Sequence, residues 1–136
     1  MEKSIKRKIL FLCTGNSCRS QMAEGFAKKL GWDAYSAGTH PEIAIDYNAT
    51  KAMSEMGIDI SHHKPESLDS YSNQNFSIVA SVCDNAKQSC PIFSGRSDSI
   101  IHKGFKDPAK IKGSNEYILN EFRTVRNLMK IWIDSL

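Results

Sequence analysis

A cysteine and an arginine near the N-terminus have the spacing of an oxyanion-binding loop. Cys13 is followed by five residues and then by Arg19 and Ser20. Five residues can curl until their backbone N–H groups converge on one tetrahedral anion, and the arginine adds a planar fork of donors. We expect the anion to be bound by Thr14, Gly15, Asn16, Ser17, Cys18 and Arg19.

Cys13 is the candidate nucleophile of this loop. Converging amides, a helix N-terminus and an arginine all stabilise negative charge, so we expect Cys13 to react as a thiolate. The Ser20 hydroxyl is close enough in sequence to donate a hydrogen bond to that sulfur. Gly15 and Asn16 suit the tight curl because both tolerate backbone angles that most residues avoid.

The residues around the loop predict a strand before it and a helix after it. Ile5 and residues 8–12 form a short apolar run that ends at the turn signal of the loop. From about Ser20 to Leu30, apolar residues recur every three or four positions, and Gly31 follows. This order of strand, loop and helix is what an anion site at a helix N-terminus requires.

Strands and helices alternate along the rest of the chain. We predict strands at 34–37, 76–82 and 99–102, and helices at 47–56 and in the final segment, where apolar residues recur on one face from 118 to 136. Such alternation favours an α/β fold with a parallel sheet, since parallel strands need crossover connections. Cys13 and Cys83 each follow a predicted strand and should share one edge of that sheet.

The segment 13–25, CTGNSCRSQMAEG, resembles the low-molecular-weight protein tyrosine phosphatase superfamily and, within it, the thioredoxin-coupled arsenate reductases. The resemblance continues at residues 35–38, 57–61, 82–83, 90–91, 104–105 and 107–108. It implies one domain over residues 1–136 with a four-stranded parallel sheet flanked by helices. It also implies reduction of arsenate to arsenite, with residual phosphatase activity.

Two further cysteines suit reduction and have no use in hydrolysis. Attack by Cys13 on arsenate leaves an arsenic–sulfur adduct, which a second thiol must resolve by attacking the Cys13 sulfur. Cys83 is the candidate for that attack, and Cys90 for the next one. Residues seven apart on a helix are about 10 Å apart, whereas a disulfide needs Cα atoms within about 7 Å. We therefore expect residues 84–92 to rearrange on oxidation.

Asp107 followed by Pro108 resembles the general-acid loop of the superfamily. Such an acid would protonate the oxygen that leaves arsenic. The same pair is also a common helix start, with Asp as the cap and Pro at the first position. Lys106 stands where many relatives have an acidic residue, and we expect its charge to stabilise ionised Asp107.

The resemblance implies a potassium ion beneath the loop, although the reaction requires no cofactor. The matching positions are Asn16, Glu24, Ser36 and Glu66. Glu66 stands where an Asp is common, and its extra methylene moves the carboxylate. The implied electron donor is thioredoxin, with glutaredoxin and glutathione as the alternative. Phosphate and sulfate should compete with arsenate, because all three are tetrahedral oxyanions.

Composition favours a cytoplasmic protein that acts on a small molecule. The 136 residues carry a formal net charge of +3, and basic residues cluster only at positions 6–8, so we expect no nucleic-acid partner. No apolar run is long enough to span a membrane. With 40% hydrophobic residues, the chain does not need its four cysteines as disulfide staples. We expect a monomer.

Other functions stay open at this point. A low-molecular-weight protein tyrosine phosphatase would use Cys13, Arg19 and Asp107 alone, and a non-catalytic oxyanion-binding or redox-sensing protein would turn nothing over. Cys83 and Cys90 could also be packing residues. A zinc site is disfavoured because the sequence has no C-x2-C pair. We expect His62 and His63 on a surface loop without a catalytic role.

Overall fold

A four-stranded parallel sheet forms the centre of the computed structural model, which describes residues 7–83, 93 and 95–136. The strands are β1 (Lys8–Cys13), β2 (Asp33–Gly38), β3 (Asn75–Ser81) and β4 (Arg96–His102). Their order in the sheet is β2-β1-β3-β4. The predicted α/β fold with four parallel strands is therefore confirmed.

The described residues form three α-helices, two of which have a capping side chain at the N-terminus. They are α1 (Arg19–Lys29), α2 (Tyr47–Ser54) and α3 (Asn115–Asp134), with short 3-10 turns at Leu68–Tyr71 and Pro108–Lys110. The Asp46 carboxylate caps α2 by accepting from Asn48 N, and the Ser114 hydroxyl caps α3 by accepting from Tyr117 N. Among the described residues, no helix is both long and apolar enough to cross a membrane.

The core lies on both faces of β1. Ile9 and Phe11 face the larger apolar cluster, to which α1, α2 and α3 all contribute. Leu10 and Leu12 face a smaller cluster on the opposite side, rich in aromatic residues. All four of these β1 side chains are at most 1% exposed, so β1 is held rigidly at the centre of the molecule.

The largest differences from the predicted strand and helix bounds are at β4 and α2. β4 begins at Arg96 rather than at 99, because it pairs with β3 from Asn75 onward while most of its side chains remain exposed. A polar edge strand has no apolar alternation to detect. Helix α2 ends at Ser54, two residues before the predicted 56. Ile5 of the predicted first strand lies outside the described residues.

The strand order brings the ends of β1 and β3 side by side. Val82 N, just past β3, donates to Leu12 O at 2.9 Å. Cys13 ends β1, and Cys83 follows this hydrogen bond by one residue. The two cysteines therefore lie at the same edge of the sheet, as the alternation of strands and helices predicted.

Candidate active site

The carboxyl ends of β1 and β3 open into a cavity of about 910 Å³. Its walls come from the loop 13–19, from the segment 39–46, and from Cys83, Asp107, Ala109 and Lys110. The predicted loop, the predicted acid and the second cysteine thus meet in one space. The segment 39–46 is a wall that the sequence did not predict.

That segment explains how the loop keeps its amides turned inward. Backbone carbonyls of the loop are tied outward: Thr14 O accepts from His40 N at 2.9 Å, Gly15 O from Glu42 N at 2.9 Å and Ser17 O from Asp46 N at 2.8 Å. In a planar trans peptide the next N–H points the opposite way from the carbonyl. The amides that follow these carbonyls therefore point into the cradle, where an oxyanion would accept from them.

Asn16 holds the sharpest bend of the loop. Its φ is +52°, a left-handed angle that asparagine tolerates better than most residues. The side chain compensates by accepting at Oδ1 from Glu66 N at 2.8 Å and from Gln21 Nε2 at 3.0 Å. Gly38, at the end of β2, leaves room for the loop, since a Cβ there would lie 2.3 Å from Thr14 O.

The Cys13 sulfur is surrounded by donors and is only 2% exposed. Asn16 N donates to it at 3.3 Å, and Ser20 Oγ lies 2.9 Å away. Because Asn16 Nδ2 donates to Ser20 Oγ at 2.7 Å, the hydroxyl proton is free to point at the sulfur. The predicted nucleophile and the Ser20 hydroxyl are therefore within hydrogen-bond distance of each other.

Arg19 links the loop to the predicted acid. Its Nη1 donates to Phe105 O at 3.0 Å, and its Nη2 lies 3.5 Å from Asp107 Oδ2. Both side chains are largely buried. Asp107 Oδ1 accepts from Ala109 N at 3.0 Å, so the helix-start geometry and a position beside the cradle occur together.

Lys106 forms an ion pair with α3. Its Nζ pairs with Glu121 Oε1 of α3 at 3.0 Å, and its side chain is 62% exposed. The cation at ion-pair distance from Asp107 is instead Arg19, whose Nη2 lies 3.5 Å from Oδ2.

The Cys83 side chain is 1% exposed and lines the same cavity as Cys13. Its sulfur lies 4.0 Å from Leu12 O, one residue before the nucleophile. Cys13, Cys18 and Cys83 all carry free thiols. Cys90, and the rearranging segment 84–92 to which it belongs, lie outside the described residues.

Comparison with known proteins agrees with this geometry. The family model for low molecular weight phosphotyrosine protein phosphatases matches residues 8–130. The chain belongs to this family. An arsenate reductase of Halalkalibacterium halodurans is 46% identical over 125 residues, which cover 90% of this chain and 88% of that protein.

Two further relatives of this phosphatase-family chain are also arsenate reductases. One, from Staphylococcus aureus strain Newman, is 41% identical over 133 residues and covers 96% of this chain and 95% of its own length. The other is a solved arsenate reductase in a phosphate-binding state, with a TM-score of 0.80, 31% identity and 95% coverage of each chain. The resemblance stated from the sequence is confirmed at the level of the family.

Cys18 is a loop residue for which the sequence predicts a side chain turned toward the helix packing and no redox step. It is the N-cap residue of α1, yet its side chain makes no capping hydrogen bond. Its sulfur instead lies 3.7 Å from Asp107 Oδ1. Burial, and secondly the Asp107 charge, raise the pKa of the Cys18 thiol, so it stays protonated. Only its place immediately before Arg19 could have drawn attention to it.

The residues matched to a potassium site do not form an oxygen cage. Ser36 Oγ donates to Glu24 Oε1, and Lys28 Nζ occupies Glu24 Oε2 at 2.6 Å. Both hydrogen-bonding positions of Asn16 Oδ1 are used, and Glu66 is exposed. In the part of the chain that the structure describes, no cluster of three or more His, Cys, Asp or Glu could hold a metal ion. The oxygen atoms of Glu24, Ser36 and Asn16 are thus engaged with other groups of the chain.

His63 is not the surface residue that was expected, whereas His62 is exposed. The His63 side chain is 7% exposed, and its Nδ1 lies 2.9 Å from Gln21 Oε1. Burial lowers the pKa of His63, so its ring is neutral at neutral pH and donates from Nδ1. Gln21 in turn donates from its Nε2 to the backbone oxygen of Asn16 at 3.2 Å. His63 is therefore linked to the loop through Gln21.

Proposed function

We propose that this chain reduces arsenate to arsenite, with Cys13 as the nucleophile, Cys83 and Cys90 as successive resolving thiols and thioredoxin as the electron donor. The observation that carries the proposal is a second thiol, Cys83, in the wall of the cavity that holds the Cys13 cradle. Hydrolysis has no use for that thiol. The arsenate reductases among the relatives point to arsenate as the substrate.

The first step forms an arsenic–sulfur bond. Arsenate sits against the inward amides and Arg19, and the Cys13 thiolate attacks arsenic. One arsenic–oxygen bond breaks, and Asp107 supplies the proton that lets the oxygen leave as water. Arsenic remains pentavalent in this adduct.

The second step is the reduction. The Cys83 thiolate attacks the Cys13 sulfur, an S–S bond forms, and the electron pair of the S–As bond stays on arsenic. Arsenic leaves as trivalent arsenite, and the two thiols are oxidised to a disulfide. Cys90 then attacks the Cys83 sulfur and releases Cys13 as a thiolate. The dithiol of thioredoxin reduces the Cys83–Cys90 disulfide, which balances the two electrons.

The cavity mouth disfavours the phosphatase alternative. A phosphotyrosine ring would stack best between aromatic side chains. The described residues that line this cavity include no Phe, Tyr or Trp, and Ala109 and Lys110 follow the Asp-Pro pair. Small oxyanions need only the cradle. We therefore expect only residual hydrolysis of aryl phosphates, and we expect phosphate to compete with arsenate for the cradle.

Arsenate-dependent NADPH oxidation with thioredoxin and thioredoxin reductase tests the proposal. We expect steady turnover with this pair and little with glutaredoxin and glutathione. Cys90→Ser should abolish steady turnover but still release one arsenite per chain, because Cys83 can resolve the first adduct. Phosphoester hydrolysis without reductant-dependent arsenite release, or full turnover by Cys90→Ser, would contradict the proposal.

The proposal routes no step through a bound cation, because the charges beneath the loop are already paired within the chain. We also propose that the protein is cytoplasmic, since a thiol relay needs a reducing compartment and a donor protein. We further propose that it is a monomer. Light scattering on the reduced protein tests the oligomeric state, and a stable dimer would contradict it.

A further inference from the structure

The two oxygens of the Asp107 carboxyl have different surroundings. Oδ1 accepts from Ala109 N at 3.0 Å and has the Cys18 sulfur 3.7 Å away. Oδ2 lies 3.5 Å from Nη2 of Arg19, the arginine of the oxyanion loop. Oδ1 therefore has two donors of the chain beside it, and Oδ2 has the arginine expected to bind the oxyanion.

This asymmetry matters because a general acid works only if its proton is on the oxygen that faces the leaving group. A carboxyl oxygen that accepts two hydrogen bonds has no free lone pair for a proton of its own. If both donors stay on Oδ1, the acid proton must reside on Oδ2. Without the second donor, the proton can spend part of its time on the unproductive oxygen.

We propose that Cys18 is a positioning residue for the general acid: its S–H, together with Ala109 N–H, keeps Oδ1 an acceptor and so places the acid proton on Oδ2. This inference rests on the proposed arsenate reduction and deepens it. Cys18 touches no substrate through its side chain. It acts on the reaction through Asp107 alone.

The surroundings of Cys18 favour the donor form that this part requires. The residue is 5% exposed, so its sulfur is poorly hydrated. The carboxylate beside it disfavours a second negative charge, and the thiol therefore keeps its proton. The same protonation removes Cys18 from the thiol relay, because only a thiolate attacks a disulfide or an adduct.

Packing is the competing explanation, since Cys18 belongs to the main apolar cluster. Serine and alanine separate the two. Both substitutions remove the large sulfur atom, but only serine keeps a hydroxyl donor. A packing role predicts similar losses in Cys18→Ser and Cys18→Ala, whereas a positioning role predicts that serine restores part of the rate.

The experiment is a double-mutant cycle on single-turnover arsenite release at saturating arsenate. Cys18→Ala should lower the rate constant roughly 3- to 10-fold, as for loss of one ordinary hydrogen bond, with the half-saturating arsenate concentration nearly unchanged. Asp107→Asn should lower it more. Adding Cys18→Ala to Asp107→Asn should have no further effect, because the residue through which Cys18 acts is gone.

Equal losses in the serine and alanine variants, or the same loss from Cys18→Ala with and without Asp107, would overturn the inference. If the unaltered chain releases no arsenite, the proposed function fails, and infrared spectroscopy still decides the part of Cys18. Its S–H stretch, assigned by its loss in Cys18→Ser, should lie below that of a free thiol and move back in Asp107→Ala. A stretch that does not respond to Asp107→Ala would contradict the contact.

Discussion

Cys13 and Cys18 stand at the two ends of one loop and are almost equally buried, at 2% and 5% exposure. Their surroundings are opposite. Donors from Asn16 and Ser20 surround the Cys13 sulfur, whereas the Cys18 sulfur has the carboxylate of Asp107 3.7 Å away. Burial therefore does not separate a nucleophile from a structural thiol. The hydrogen-bonding partners of the two sulfurs differ instead.

The largest effect is expected from replacing Cys13, the nucleophile of the loop. Cys13→Ser should lower single-turnover arsenite release by at least about 10³-fold, because a hydroxyl is a much weaker nucleophile than a thiolate. Cys18→Ser, the matched change at the other end, should keep most of the rate. Stopped assays of released arsenite measure both. Similar losses in the two variants would mean that the loop does not distinguish its cysteines.

Removing a donor from Cys13 should have a smaller effect. Ser20→Ala deletes the hydroxyl 2.9 Å from the sulfur and should lower the single-turnover rate about 10- to 100-fold, as for loss of a hydrogen bond to a charged group. Ser54→Ala, on the exposed end of α2, is the control. An unchanged rate in Ser20→Ala would show that the loop amides suffice without this hydroxyl.

Cys18 should make the free energy of unfolding depend on pH in the alkaline range. In the unfolded chain this thiol has its ordinary pKa of 9.0 and loses its proton above that pH. Burial raises the pKa of Cys18 in the folded chain. The folded state then binds more protons, so Cys18 lowers the free energy of unfolding as pH rises past 9.0, by about 1 kcal/mol near pH 10. Urea unfolding at pH 8 and 10 should show a smaller loss in Cys18→Ser. Identical losses would mean that Cys18 ionises equally in both states.

The smallest effect is expected from exchanging the cation in the buffer, which tests the ion pair of Lys28 and Glu24. Lys28 already pairs with Glu24, so the carboxylate needs no added cation. Exchanging potassium chloride for choline chloride should therefore change the rate of arsenate reduction less than about 2-fold, the size of effect expected for an exposed ion pair. Steady-state rates at constant ionic strength measure this. A strong potassium activation that Glu24→Gln removes would contradict the absence of a cation step.

The loop and the fold could be predicted because their signals are contiguous. Cys13, Arg19 and Ser20 lie within eight residues, and β1 and α1 flank them directly. Cys83 was predicted at the right edge because strand order in parallel sheets follows general rules. These inferences needed no knowledge of side-chain contacts.

The contacts that tune the site could not be predicted, because they join distant parts of the chain. Cys18 and Asp107 are 89 residues apart, and His63 and Gln21 are 42 apart. The segment 39–46 has no apolar period that marks it as the outer support of the loop. The ion pair between Lys106 and Glu121 of α3 could not be predicted for the same reason.

The central claim is that Cys13 passes its bond to Cys83. Peptide mass spectrometry on Cys90→Ser, after one turnover with arsenate and rapid alkylation, tests it most directly. We predict one arsenite released per chain and a disulfide that joins the peptides of Cys13 and Cys83. Arsenite release with Cys83 recovered in its alkylated form would contradict the account.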